Sequence, residues 1–355
     1  MKRTVLIVWS TALILGVIIS SGSVSAKSIN PTPENPITLK MATFFASEKD
    51  IRQVFTRKWG EGITKATNGA IKFRYFPGQQ LVKAKEMSDA LQNGIIDANT
   101  WFVPSYTPED YPFFAAVTMI PYALPDDYDR VKGLSRDGEE LLFGDFKKHN
   151  IKHLWSMFGS YGQEWFFKDA WDPKDPAKNF QKKRVRSPGI IAARVLIKYL
   201  GAEQVSMSAP EAYEAGQKGI IQGCTLGFSQ YANSHTYEVF PYVMFANTTF
   251  TQIGGTPCVM RRDLFESLPA NMQKDIVKVS ENLEKEFFYA YREEVNKLRD
   301  DLVKSGKIKQ YIEMDPTIKA QWKKEVDPMI DKELTQKFPE KFPQLRTLLN
   351  KYQKK

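Results

Sequence analysis

Few residues of this chain could serve as nucleophiles, general bases or soft metal ligands: it has three histidines and two cysteines. His149 and His153 stand four apart, a spacing that can align two imidazoles on one helix face as metal ligands. No glutamate follows His149, however, and Ile151-Lys152 reads as the start of a strand. The pair is expected to be two surface histidines. His235 stands alone, so a transition-metal site would have few side chains to draw on. Gly159-Ser160-Tyr161-Gly162 has the wrong spacing for a nucleophile elbow, and no phosphate-cradling glycine loop occurs. Cys224 and Cys258 could pair in an oxidising compartment. A large fold does not need that bridge, and two buried free thiols are expected. No nucleophile–base pair is visible, which argues against a secreted hydrolase or isomerase.

The elements that would position a site are clearer. Glu86 to Ala98 reads EMSDALQNGIIDA, and Glu211 to Gly223 reads EAYEAGQKGIIQG, at a constant offset of 125 residues. Each copy reads as a helix stopped by a glycine, which takes positive φ without a Cβ clash, and then an apolar strand. The expectation is two similar α/β lobes, with Ile95-Ile96 and Ile220-Ile221 in core strands of different lobes. Paired lobes leave a cleft, a common place for a ligand.

Ile37 to Ala42 alternates as a first strand, and Ile51, Phe55, Trp59 and Ile63 recur at helical spacing. Ile71, Phe73 and Tyr75 alternate as a second strand. The order β-α-β-α-β predicts mostly parallel sheets covered by helices, with ligands bound beyond the carboxyl ends of the strands. The loops Phe44-Phe45-Ala46-Ser47 and Thr100-Trp101-Phe102 sit at those ends. Ile151–Trp155, Trp165–Phe167 and Lys183–Arg186 read as further strands, and Ala192–Leu200 as a helix ended by Gly201. A second lobe thus begins near residue 157. A long helix is predicted from about Asn271 to Lys304 by an apolar stripe through Ile276, Leu283, Phe287, Tyr291, Val295 and Leu302. At about 1.5 Å per residue it exceeds one small lobe and is expected to span both. The domain reading is 37–156 plus about 248–290 for lobe I, and 157–247 plus about 291–340 for lobe II.

Residues 1–26 carry a basic head, an apolar run from Thr4 to Ile19 and the small-residue site Val24-Ser25-Ala26. This is the pattern of a cleaved secretory signal peptide, with Lys27 the first mature residue and the periplasm the expected compartment. Its apolar run is shorter than the roughly 20 residues of a membrane span. Removing it leaves 329 residues and lowers the formal charge from +9 to +7. The lysines are dispersed and no aromatic-interleaved basic motif occurs, so no nucleic-acid partner is expected.

The whole mature chain resembles the periplasmic solute-binding proteins of tripartite ATP-independent periplasmic (TRAP) transporters. The likeness lies in Phe76-Pro77-Gly78-Gln79-Gln80-Leu81, in Gln92-Asn93-Gly94-Ile95-Ile96-Asp97, and in Lys183-Arg184-Val185-Arg186-Ser187-Pro188-Gly189 followed by Leu200-Gly201-Ala202 and Met207-Ser208-Ala209-Pro210-Glu211-Ala212-Tyr213. The resemblance implies a two-lobe α/β periplasmic-binding-protein fold, with mostly parallel sheets and a hinge crossed by strands and a long helix. It implies a non-catalytic receptor that closes on a small organic acid and docks on membrane permease subunits. A receptor that reports to a sensor kinase is the alternative.

In that family the arginine matching Arg186 holds the ligand carboxylate, which suits a planar, permanently charged fork of donors. Arg184 and Arg194 are its competitors. Many sialic-acid and dicarboxylate binders carry a second arginine shortly after the position of Gly162. Here Gln163-Glu164-Trp165-Phe166 stands there, closer to the 2-keto-acid and lactate binders. That branch can use a metal ion to bridge the ligand, through acidic residues where this chain has Cys224-Thr225-Leu226-Gly227 and Gln252. No metal or other cofactor is therefore assigned. The expected ligand is a partly apolar monocarboxylate. Gln163, Thr225 and Gln252 are candidate polar contacts, and Phe44, Phe45, Trp101 and Phe228 are candidate apolar walls. Glu164 is expected either to supply a charge or to face solvent.

Overall fold

The computed structural model describes residues 28–43, 45–120, 127–159, 164–188, 190–245 and 251–353. The expected signal peptide, 1–26, and Phe44 and Gln163 lie outside them. The first half of the described chain runs β1 (Ile37–Ala42), α1 (Ile51–Ala66), β2 (Ile71–Phe76), α2 (Met87–Gln92), β3 (Ala98–Asn99), α3 (Pro112–Val117), β4 (Met119–Ile120), α4 (Tyr128–Asp137), α5 (Glu139–Phe143) and β5 (Ile151–Met157). It continues through β6 (Glu164–Phe167), β7 (Arg184–Ser187), α6 (Ile191–Tyr199), β8 (Glu203–Ser206), α7 (Glu211–Gln217), β9 (Gly223–Leu226), α8 (Phe228–Asn233), β10 (Tyr242–Phe245), β11 (Thr251–Gln252) and β12 (Thr256–Arg261). The C-terminal part is α9 (Arg262–Ser267), α10 (Ala270–Lys304), β13 (Gln310–Glu313), α11 (Pro316–Lys337) and α12 (Lys341–Gln353).

Two sheets organise the fold. One has the order β2-β1-β3-β12-β5, the other β13-β10-β6-β9-β7-β8. In each, a single strand runs against the rest: β12 is antiparallel to β3 and β5, and β6 is antiparallel to β9 and β10. β6 is the first strand the chain lays down in the second sheet, and β12 is the strand with which it returns to the first. The remaining pairs of the two sheets are parallel, as the β-α-β order predicts. The fold is therefore a two-lobe mixed α/β fold with mostly parallel sheets.

The repeated segments occupy matched places. Helix α2 leads into β3 of the first sheet, and α7 into β9 of the second. Gly94 and Gly219 both take positive φ, at 69° and 70°. The same turn follows each: Gly94 and Ile95 N–H donate to Leu91 and Ala90, while Gly219 and Ile220 donate to Gly216 and Ala215. The isoleucines differ from expectation. They lie in the turn before the strand, with Ile95 48% and Ile220 42% exposed and Ile96 and Ile221 fully buried. The left-handed glycine turn consumes the first isoleucine, so the strand starts two or three residues later.

Helix α10 has 35 residues, about 50 Å at 1.5 Å each. It packs on α1 and β5 of the first lobe and on α8 of the second. Mid-helix Glu284 is 1% exposed and accepts from Ser156 N–H (2.8 Å) and Tyr128 Oη (3.2 Å), with Lys132 Nζ at 2.6 Å. Beyond it, α11 packs on α6 and α12 on α4, so the C-terminal helices touch both lobes. Cys224 and Cys258 are buried free thiols in different sheets. His149 and His153 are half-buried rather than at the surface. His149 Nδ1 meets Gln92 Oε1 at 3.3 Å, and His153 stacks on Phe143 at 3.8 Å and meets Ser156 Oγ at 2.9 Å. They share no ligand geometry.

Candidate functional site

Strand β7 presents two arginines on one face, and the repeat tells them apart. Arg184 Nη2 donates to Gly219 O (2.9 Å), capping the turn after α7, and its N–H donates to Gln222 Oε1 (3.0 Å). In the first lobe Lys40 does the same on β1: Nζ donates to Gly94 O (3.0 Å) and its N–H to Asp97 Oδ2 (2.8 Å). Arg184 is thus the second copy of a helix-end cap. Two residues further on, the first lobe has Ala42 and the second has Arg186. The lobes part company at this position. Arg194 is exposed on α6 and ion-paired to Glu333 on α11.

Arg186 is 1% exposed. Its Nε and Nη2 donate to Met207 O (3.0 and 2.8 Å), and Nη1 donates to Thr225 O (2.6 Å). These carbonyls fix the plane of the guanidinium but bring no negative charge. Tyr106 also hydrogen-bonds to it, and the same phenol accepts from Ala209 N–H at 3.3 Å. Among the described residues no carboxylate forms an ion pair with Arg186. Nearby Glu211 is occupied by Ser208 N–H (2.7 Å) and Oγ (2.5 Å). Burial lowers the Arg186 pKa and raises that of Tyr106. A buried cation held only by dipoles is costly unless an anion joins it.

Arg186 lines a cavity of about 80 Å³ between the lobes. A single water needs roughly 10–15 Å³ by this measure, so the space admits a small molecule. From the first lobe it is lined by Arg52, the Trp101–Tyr106 loop and Gly255–Pro257; from the second, by Ala209, Leu226 and Gln230. Tyr291 of α10 completes it. Trp101 takes φ 72°, a strained backbone for a bulky residue and one found disproportionately at functional sites.

Of the predicted site residues, Arg186 and Trp101 line the cavity, and Phe45 stands behind Trp101 at 5.3 Å, ring edge to face. Thr225 contributes its backbone carbonyl to Arg186. Phe228 packs instead into the lobe core against Phe166 and Tyr231, and Glu164 is 1% exposed, so it does not face solvent. Gln252 pairs with Met119 through β11 and β4. Phe44 and Gln163 are outside the described residues. Sequence reasoning missed Arg52, Tyr106, Gln230 and Tyr291. Tyr106 lies only four residues beyond the Thr100-Trp101-Phe102 loop that was singled out. The other three sit on helices, where their spacing matches core positions. Among the described residues no group of His, Cys, Asp and Glu could hold a metal ion.

Residues 42–337 match the family described as bacterial extracellular solute-binding protein, family 7. The C4-dicarboxylate-binding periplasmic protein DctP of Rhodobacter capsulatus is 22% identical over 326 residues, covering 90% of this chain and 93% of that protein. Among solved structures, a marine metagenome TRAP solute-binding protein with pyroglutamate superposes with a TM-score of 0.76 at 15% identity, covering 89% of this chain and 99% of the other. A TRAP periplasmic solute-binding protein of Rhodoferax ferrireducens with bound malonate gives 0.76 at 18% identity, covering 88% and 98%. The two lobes, the cavity between them and a family match over most of the chain lead to one conclusion: this protein belongs to family 7 of the bacterial extracellular solute-binding proteins.

Proposed function

We propose that this protein is a periplasmic receptor that captures a small organic monocarboxylate and delivers it to the membrane permease subunits of a TRAP-type secondary transporter. The observation that carries the ligand class is Arg186, a buried guanidinium facing the cavity between the lobes with no acidic partner among the described residues. The cavity's other arginine, Arg52, is already neutralised by Asp50. The site therefore has one uncompensated positive charge, which matches one carboxylate. A desolvated guanidinium holds a carboxylate through charge-assisted hydrogen bonds. Trp101, Phe102 and Leu226 suit an apolar remainder, whose burial adds about 25 cal/mol per Å². The acids named for the related proteins support an acidic ligand, and the export pattern of residues 1–26 supports the compartment. Ala209 N–H to Tyr106 Oη and Asn233 Nδ2 to Asp50 (2.9 Å) are hydrogen bonds from one lobe to the other that ligand binding would favour in the closed form.

A thermal-shift screen of organic acids tests the reading. A micromolar ligand at millimolar concentration stabilises by about 4 kcal/mol. Monocarboxylates with keto, hydroxy, alkyl or aryl substituents should raise the melting temperature more than succinate. A strong shift with succinate and none with monocarboxylates would contradict it.

A further inference from the structure

Arg52 is the second fully buried arginine of the cavity, and its surroundings differ in kind from those of Arg186. Asp50 grips it with both oxygens, Nε to Oδ1 at 2.8 Å and Nη2 to Oδ2 at 2.5 Å. Asp50 also accepts Arg52 N–H at 2.9 Å as the N-cap of α1, and Asn233 Nδ2 at 2.9 Å from α8. The carboxylate is thus saturated by four donors. The guanidinium plane is fixed on its other side by Phe45, whose ring centroid lies 3.6 Å from Cζ, and by Trp101 at 5.1 Å. Arg52 Nη1 alone donates to no described residue, and Arg52 lines the cavity. One turn before Asn233, Gln230 also lines the cavity. Its Oε1 is buried and meets no donor. Residues three apart share a helix face, so Gln230 stands beside the group that holds Asp50.

We propose that Asp50, Arg52 and Gln230 form a charge-neutral polar subsite that reads a hydroxyl or carbonyl on the ligand and excludes a second carboxylate, with Asp50 setting the charge. This rests on the reading of Arg186 as the carboxylate anchor. Arg52 Nη1 offers a donor to a neutral acceptor, and Gln230 offers an amide end to a hydroxyl, which can answer either orientation of that amide. A second carboxylate arriving here would face Asp50 as well as Arg52, so the pair presents no net attraction for its charge. Phe45 and Trp101 hold the pair rigid, so it cannot turn outward to accommodate one.

The test uses calorimetry with succinate, 2-hydroxybutyrate and butyrate on the mature protein and three variants. Asp50→Asn keeps a good N-cap and a partner for Arg52 but removes the neutralising charge. It should tighten succinate binding about tenfold or more relative to wild type, because a desolvated cation is left for the second carboxylate. Gln230→Leu should bring 2-hydroxybutyrate down to the affinity of butyrate. A melting curve on each variant confirms the fold. Asp50→Asn binding succinate no better than wild type overturns the subsite, as does a Gln230→Leu variant that keeps its preference for the hydroxy acid. Asp50→Asn combined with Arg186→Ala separates this inference from the reading beneath it. Succinate binding gained in Asp50→Asn should vanish in the double variant. If it survives there, the anchor assignment has failed rather than the neutral subsite.

Discussion

Tyr106 is the residue through which the two lobes meet at the anchor. Its hydroxyl contacts Arg186 of one lobe and takes Ala209 N–H, while its backbone belongs to the loop after β3 of the other. Tyr106→Phe removes those hydrogen bonds and leaves the ring in place. Affinity should fall by about 1 kcal/mol, the net worth of an ordinary hydrogen bond, with the melting temperature of the unliganded protein nearly unchanged. Titration calorimetry with the ligand found by screening reads the first and a thermal melt the second. The anchor strand was legible in the sequence because its motif is local and contiguous. Arg52 and Gln230 were not, since nothing local marks a helical arginine and glutamine as cavity residues until the bond from Asn233 to Asp50 joins α8 to the start of α1. Phe228 misled for the converse reason: it follows the β9 strand end, but α8 turns it into the core.

The helix-glycine-strand unit was the most legible element, because a left-handed turn leaves a glycine at a fixed offset in both copies. What the sequence could not show was where each strand begins, since an Ile-Ile pair fits a strand as well as a turn with one side chain out and one in. The two glycines make a matched experiment. A Cβ on Gly219 meets nothing within 4 Å, so Gly219→Ala bears only the cost of the left-handed backbone, about 1 kcal/mol. A Cβ on Gly94 falls 2.7 Å from Arg261 Nη1, and Arg261 is pinned by Asp97 and Asp263. Gly94→Ala should therefore destabilise more than Gly219→Ala in denaturant unfolding. Equal losses would mean that the Arg261 side chain yields freely.

Across the whole molecule, α10 and the C-terminal helices connect the two lobes. One buried acid in this strap carries a pH signature. Asp327 of α11 is 8% exposed, and burial pushes its carboxyl up to about 6 despite Lys323 and Arg346, with Asp331 adding to the rise. The folded state thus holds this proton more tightly than the unfolded chain, whose value is about 3.9. The contribution to stability is fully present below about pH 4 and is lost as pH rises through 6. Asp327→Asn should therefore stabilise at pH 7 by on the order of 1 kcal/mol and give no gain at pH 4. Denaturant melts of both proteins at the two pH values check the sign. The central claim about the receptor is that Arg186 supplies the one charge on which both lobes close. Calorimetry with the acid identified by screening tests it most directly, on wild type, Arg186→Ala and Arg186→Lys. Arg186→Ala should lose about 2–5 kcal/mol of binding, because a desolvated carboxylate is left unpaired. Arg186→Lys should recover only part, since one ammonium cannot reproduce the two-pronged geometry. Unchanged affinity in a folded Arg186→Ala protein would contradict the account and show that another group holds the acid.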